Sequence, residues 1–216
     1  MKGWRMVAAI VPRGEGERIS AAAVGAGAGG GTVLMGRGTA PNAVMQFLGL
    51  GEKSKEITLN IAGDDAAEAV CRAVRSAAAG AKLPGIAISA ELGAFARSGD
   101  DAKTEWRNNM DAEGNVAIVA IVNRDYADDA LAAARKAGAK GGTVLQARGT
   151  AKEGDAAFFG VKLVPEKEVL VILSGKDAAQ GILEAIRKAP CFAEKGSGIV
   201  FAFKAESFTT LGGDAG

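Results

Sequence analysis

Hydrophobic and polar positions follow two rhythms along this chain, period two and period 3.6, and they alternate in the same order in both halves. Arg5 to Val11 is a short apolar run closed by Pro12, which predicts a buried strand. Behind it, residues 15–28 place Ile19, Ala22, Ala23 and Ala26 at helical spacing after Glu15, Glu17 and Arg18, and glycines end the pattern. Gly31–Arg37 reads as a second strand, and residues 38–54 as a loop around the apolar piece Val44-Met45-Gln46-Phe47-Leu48. Glu56–Ile61 alternates with period two, so one face of that strand should meet the core. Asp64 and Asp65 then stand where a helix N-cap and first turn favour acids. Ala66, Ala69, Val70, Ala73, Val74 and Ala77 give that helix its buried stripe, and Pro84–Ala90 reads as a fourth strand.

The second half repeats this order. Val116–Val122 matches the first strand, Asp128–Lys136 the first helix, Glu168–Leu173 the third strand, Asp177–Lys188 the second helix and Gly198–Phe203 the fourth strand. The repeat is plainest at Gly30–Ala40 and Gly141–Ala151, identical at nine of eleven positions and 111 residues apart. Twice β-α-β-β-α-β predicts an α+β protein of two tandem ferredoxin-like domains, each a four-stranded antiparallel sheet with two helices on one face. The expected domains are residues 1–94 and 115–207, joined by a polar linker at 95–114 and followed by a flexible tail at 208–216. Trp106 reads either as an anchor of that linker or as part of an exposed turn. A sheet covered on one face needs cover on the other, so sheet-to-sheet or barrel-like packing between repeats or chains is expected.

Composition removes several classes of function. Basic and acidic residues number 26 and 25, for a net charge of +1, which leaves no electrostatic footprint for nucleic acid or anionic lipid. There is no histidine, hence neither the usual general base nor the commonest metal ligand, and no metal site is expected. Cys71 and Cys191 do not occupy equivalent places in the repeat and read as buried free thiols. No apolar run has spanning length and the first residues lack a signal-peptide core, so a cytoplasmic protein is expected. No acid-base pair or nucleophile constellation recurs in both halves, which argues against an enzyme.

The motif Gly-Gly-Thr-Val-Leu, then Arg148-Gly149-Thr150-Ala151, then a loop leading to Phe158-Phe159-Gly160-Val161 and Pro165 to Leu173 resembles the PII signal-transduction family. The resemblance spans both halves and is firmest over residues 116–206. It implies the same ferredoxin-like fold, adenine-nucleotide binding at clefts between domains, and a protruding loop after the second strand that grips a transporter or metabolic enzyme. It also implies a homo-oligomer. ATP, ADP or AMP would be a regulatory ligand, and no cofactor is required.

Carried over by position, the resemblance places the ligand against Arg148, Gly149, Thr150 and Lys152, and against Lys195, Gly196 and Gly198 before the fourth strand. The first repeat offers Arg37, Gly38 and Thr39, but Pro41 stands where the second has Lys152, and Pro84 has no amide to donate. The family's lysine after the glycine pair is Ile199 here and Ile86 in the first half, and its modified tyrosine is missing from the loop. Without a ligand, Arg37 and Arg148 read as cappers of carbonyls or partners of an acid. Gly30, Gly31, Gly141 and Gly142 read as turn residues. The reading is therefore a regulator sensing a small anionic metabolite, an adenine nucleotide foremost; the alternative is a structural or protein-interaction module that has lost nucleotide binding.

Overall fold

The computed structural model describes residues 3–37, 54–99, 106, 114–150, 157–158, 161–162 and 165–205. The loop read at 38–54 and the tail at 208–216 lie largely or wholly outside them. The chain forms two compact units, Met1–Glu91 with Leu145–Lys167, and Leu92–Val144 with Glu168–Gly216.

The first unit runs β1 (Trp4–Pro12), α1 (Gly16–Gly25), β2 (Gly31–Arg37), β3 (Ser54–Gly63), α2 (Asp64–Gly80) and β4 (Ile86–Leu92). Its strands lie in the order β4-β1-β3-β2, the ferredoxin-like arrangement, with β1 and β2 antiparallel to β3. Val7, Ala9 and Val11 of β1 meet Ile19 and Ala23 of α1 and Val70 and Val74 of α2 in one apolar cluster. Asp64 is the first residue of α2 and not its N-cap: Gly63 holds that place, and the Asp64 carboxylate pairs with Arg5 at 3.3 Å. The buried stripe of α2 is Ala67, Val70 and Val74, and Ala69 is exposed.

β3 alternates as expected, but its inward face is the polar one. Glu56, Thr58 and Asn60 are buried, whereas Ile57 and Leu59 on the opposite face are only half-buried. The three polar side chains lie beneath α1, because the Glu56 carboxylate reaches the start of that helix and Asn60 reaches Ser20 within it.

The second unit contains β5 (Ala94–Arg97), β6 (Asn115–Asn123), α3 (Ala127–Lys136), β10 (Glu166–Gly175), α4 (Lys176–Arg187), a single 3-10 turn at Pro190–Phe192 and β11 (Gly198–Ala205). Its strand order is β10-β6-β11-β5, with β5 and β6 both antiparallel to β11. The segment read as linker thus begins with a strand. Trp106 packs, half-buried, against the core of this unit. That core is richer than the first, with Ile118, Leu170, Ile172, Ile182, Leu183, Ile186 and Phe192 among its members. Both faces of β6 are apolar and buried: Ile118, Ala120 and Val122 join the helix-side cluster, and Val119 and Ile121 lie opposite.

The second strand of the second repeat, β7 (Thr143–Gly149), belongs from Leu145 onward to the first unit. There it lies antiparallel on β2, with Thr32 opposite Gly149, Val33 opposite Arg148 and Leu34 opposite Ala147. Beyond it a small ribbon pairs β8 (Ala157–Phe158) with β9 (Val161–Lys162). The α+β, tandem ferredoxin-like class read from periodicity is the one observed.

Both cysteines are free, Cys191 buried in the second core and Cys71 half-buried. Burial, reinforced by the nearby Asp129 charge and only partly offset by a backbone hydrogen bond, pushes the Cys191 thiol up. A thiol harder to ionise in the folded state than in the unfolded one favours folding until the unfolded thiol ionises. Stability is therefore expected to fall as pH rises from about 8.5 through the folded value, and Cys191→Ala should remove that part of the loss in urea unfolding followed against pH.

Candidate functional site

The start of α1 has no capping side chain of its own, since Glu15 at the N-cap makes no side-chain bond to the helix. An orphan amide there needs an acceptor, and the positive end of the helix favours an anion. Glu56 supplies both: its Oε2 accepts the Gly16 amide at 2.7 Å. A Cβ on residue 16 would stand 2.7 Å from that oxygen and 2.9 Å from Val33 Cγ1, so glycine allows the carboxylate to sit this deep. The second repeat keeps the device, with Glu168 Oε2 accepting the Ala127 amide at 3.0 Å at the start of α3. There the residue carries a Cβ, and Glu168 is half-buried rather than buried.

In the first unit the other oxygen of Glu56 is taken by Arg148, with Nη2–Oε1 at 3.1 Å. A second carboxylate, Glu17 on α1, lies 3.7 Å from Arg148 Nη1. The guanidinium thus bridges a buried acid and a half-exposed one, giving the buried carboxylate a partner of opposite charge. The next two residues are also engaged. The Gly149 amide donates to the Pro165 carbonyl at 2.7 Å, and Thr150 donates to the Gly31 carbonyl from its amide at 2.9 Å and its hydroxyl at 3.2 Å. Gly31 is required for packing rather than for a turn, because a Cβ there would collide with Ser20 Oγ.

The remaining candidates belong to the second unit. Lys195 and Gly196 are exposed in the turn before β11, where Gly196 adopts φ 86°, a conformation that favours glycine. Ser197 and Gly198 behind them are buried, and their amides are bonded inside the protein, to the Glu194 carbonyl at 3.1 Å and to Ser98 Oγ at 3.0 Å. The charge this turn offers an anion is the Lys195 ammonium. Lys152, Gly38 and Thr39 lie outside the described residues, and Arg37 ends β2 opposite Ser54. Among the described residues no three histidine, cysteine, aspartate or glutamate side chains gather as a metal site, and no helix is long and apolar enough to cross a membrane.

Sequence reasoning passed over Glu56, Glu17, Ser20 and Asn60. A signal for Glu56 was present, since Glu168 stands at the matching place in the second repeat. Ser20, Thr58 and Asn60 have no such echo, because their counterparts are Leu131, Leu170 and Ile172.

Residues 116–212 match the family model described as nitrogen regulatory protein P-II. The second repeat is similar to P-II throughout this range. The match covers somewhat less than half of the chain, and the first half relates to P-II through the internal repeat. No curated protein sequence matches the chain. Among solved structures, it is similar to the regulatory subunit of aspartate kinase from Thermus thermophilus in its ligand-free form. The two share 15% identity over 87% of this chain and 93% of that one, with a TM-score of 0.39. Two mutants of chlorite dismutase from Candidatus Nitrospira defluvii align at 8% and 7% identity over 93% of this chain and 90% of theirs, with TM-scores of 0.25 and 0.27. Scores of this size carry no argument about arrangement or activity.

Removing Arg148 would leave the Glu56 carboxylate buried beside only the helix amide. Arg148→Met is expected to lower the unfolding free energy by roughly 3 kcal/mol. Arg72→Met, which breaks the exposed pair with Glu68 within α2, should cost less than about 0.5 kcal/mol in the same urea titration.

Proposed function

We propose that the chain is a P-II-like signal-transduction regulator and not an enzyme. It senses a small anionic metabolite, foremost an adenine nucleotide, and controls a transporter or metabolic enzyme in the cytoplasm through the segment that follows β7. The observation that carries this reading is the P-II match over residues 116–212, which includes the exposed Lys195-Gly196 turn. A phosphate meets the Lys195 ammonium there. Binding would shift the chain between a state that the target recognises and one that it does not.

A second reading, an interaction module without a nucleotide site, is favoured by the engagement of Arg148, Gly149 and Thr150 with partners inside the first unit. Residues that would line a ligand are used there to hold two strands together.

Isothermal titration with ATP, ADP, AMP and cyclic nucleotides, on protein whose mass has been fixed by light scattering, separates the two. The regulator should give saturable binding near one site per chain. Lys195→Ala should weaken it at least about tenfold, the worth of one charged hydrogen bond, with the unfolding midpoint unchanged. No heat from any nucleotide on folded protein would favour the module.

A further inference from the structure

The core of the first repeat contains a hydrogen-bond chain whose direction chemistry dictates. Asn60 Nδ2 donates to Ser20 Oγ at 2.7 Å and to the Gly30 carbonyl at 3.0 Å. Ser20 Oγ passes its own proton toward Thr150 Oγ1 at 3.5 Å, and Thr150 donates to the Gly31 carbonyl. Flipping the Asn60 amide would set Oδ1 against the Gly30 carbonyl, acceptor against acceptor, so the nitrogen must face Gly30. Oδ1 is then left at the head of the chain with no protein partner. Thr58 Oγ1, two residues back on the same face of β3, has none either. Both residues are fully buried, and buried polar atoms are rarely left unbonded.

The matching positions of the second repeat, Leu131, Leu170 and Ile172, are apolar and buried, so the fold itself does not call for polar groups here. We propose that Asn60 Oδ1 and Thr58 Oγ1 hold one buried water between α1 and β3. The water donates to Asn60 Oδ1 and shares a hydrogen bond with the Thr58 hydroxyl. Water is the ligand class because the site offers one pure acceptor and one hydroxyl, a pairing that a small molecule with both donors and acceptors satisfies. A cation fits less well, since the neighbouring Glu56 charge is already matched by Arg148. The water fixes the Asn60 amide, and through Ser20 it positions Thr150, the residue that closes β7 onto β2.

A crystal structure of the intact protein at a resolution that shows ordered solvent tests the site directly. One water within hydrogen-bond distance of both Asn60 Oδ1 and Thr58 Oγ1 is expected. A dry site, a water touching only one of them, or a protein donor on Asn60 Oδ1 would overturn the proposal, whatever happens to any variant. Amide exchange tests the positioning role: Thr58→Val should speed exchange of the Thr150 amide by at least about tenfold and leave Ile118 in the second unit unchanged. An unchanged Thr150 rate in folded Thr58→Val would refute that role.

Discussion

The first unit depends on one carboxylate that is almost wholly buried. Glu56 closes the start of α1 through Gly16 and holds Arg148 through its other oxygen, so helix, central strand and the strand from the second repeat meet at a single side chain. Burying a carboxylate is costly unless both its charge and its lone pairs are met. Here the helix amide and the guanidinium meet them together. Arg148 lies opposite Val33 in the β2–β7 pairing, and the ion pair thereby specifies the register of three backbone pairs that would otherwise tolerate slippage.

The two repeats solve the same packing problem with different chemistry. In the second, α3 and α4 rest on Ile118, Leu170 and Ile172, and apolar area supplies the cohesion. In the first, Glu56, Thr58 and Asn60 take the helix-facing positions of β3, and directional bonds replace part of that area. Directional bonds are weaker sources of net stability but stronger sources of specificity. The residues they recruit, Arg148 and Thr150, are the ones that the P-II resemblance would place beside a ligand. Those side chains are committed to partners inside the first unit, whereas Lys195 and Gly196 stay exposed.

Much of the fold was legible because the repeat doubles every signal. β1 and β6 were readable as apolar runs, α1 and α3 and β3 and β10 from the spacing of their apolar positions and from the repeat, and each member of a pair supports the other. What periodicity could not settle was the inward face of β3. An alternation of Glu56, Thr58 and Asn60 with Ile57, Leu59 and Ile61 is equally regular from either side, and apolar residues inward is only the usual choice. The choice turned on a helix start with no cap of its own, a tertiary demand invisible in a window of six residues. β5 was hidden for a related reason: Ala94–Arg97 is short, lies in a polar stretch and is a strand only because the edge of β11 accepts it. The candidate site was legible as a motif, Arg-Gly-Thr twice, but its acid partners were far away in sequence and only Glu168 hinted at them.

Glu56 and Arg148 act as one unit that joins the second repeat's strand to the first repeat's helix. A double-mutant cycle of Glu56→Gln and Arg148→Met, read by urea unfolding, measures that directly. A coupling energy of at least about 1.5 kcal/mol is expected, with the double variant less destabilised than the sum of the two single ones. Costs that add to within about 0.5 kcal/mol would contradict it, and the arginine would then be a surface charge that merely lies near a buried acid.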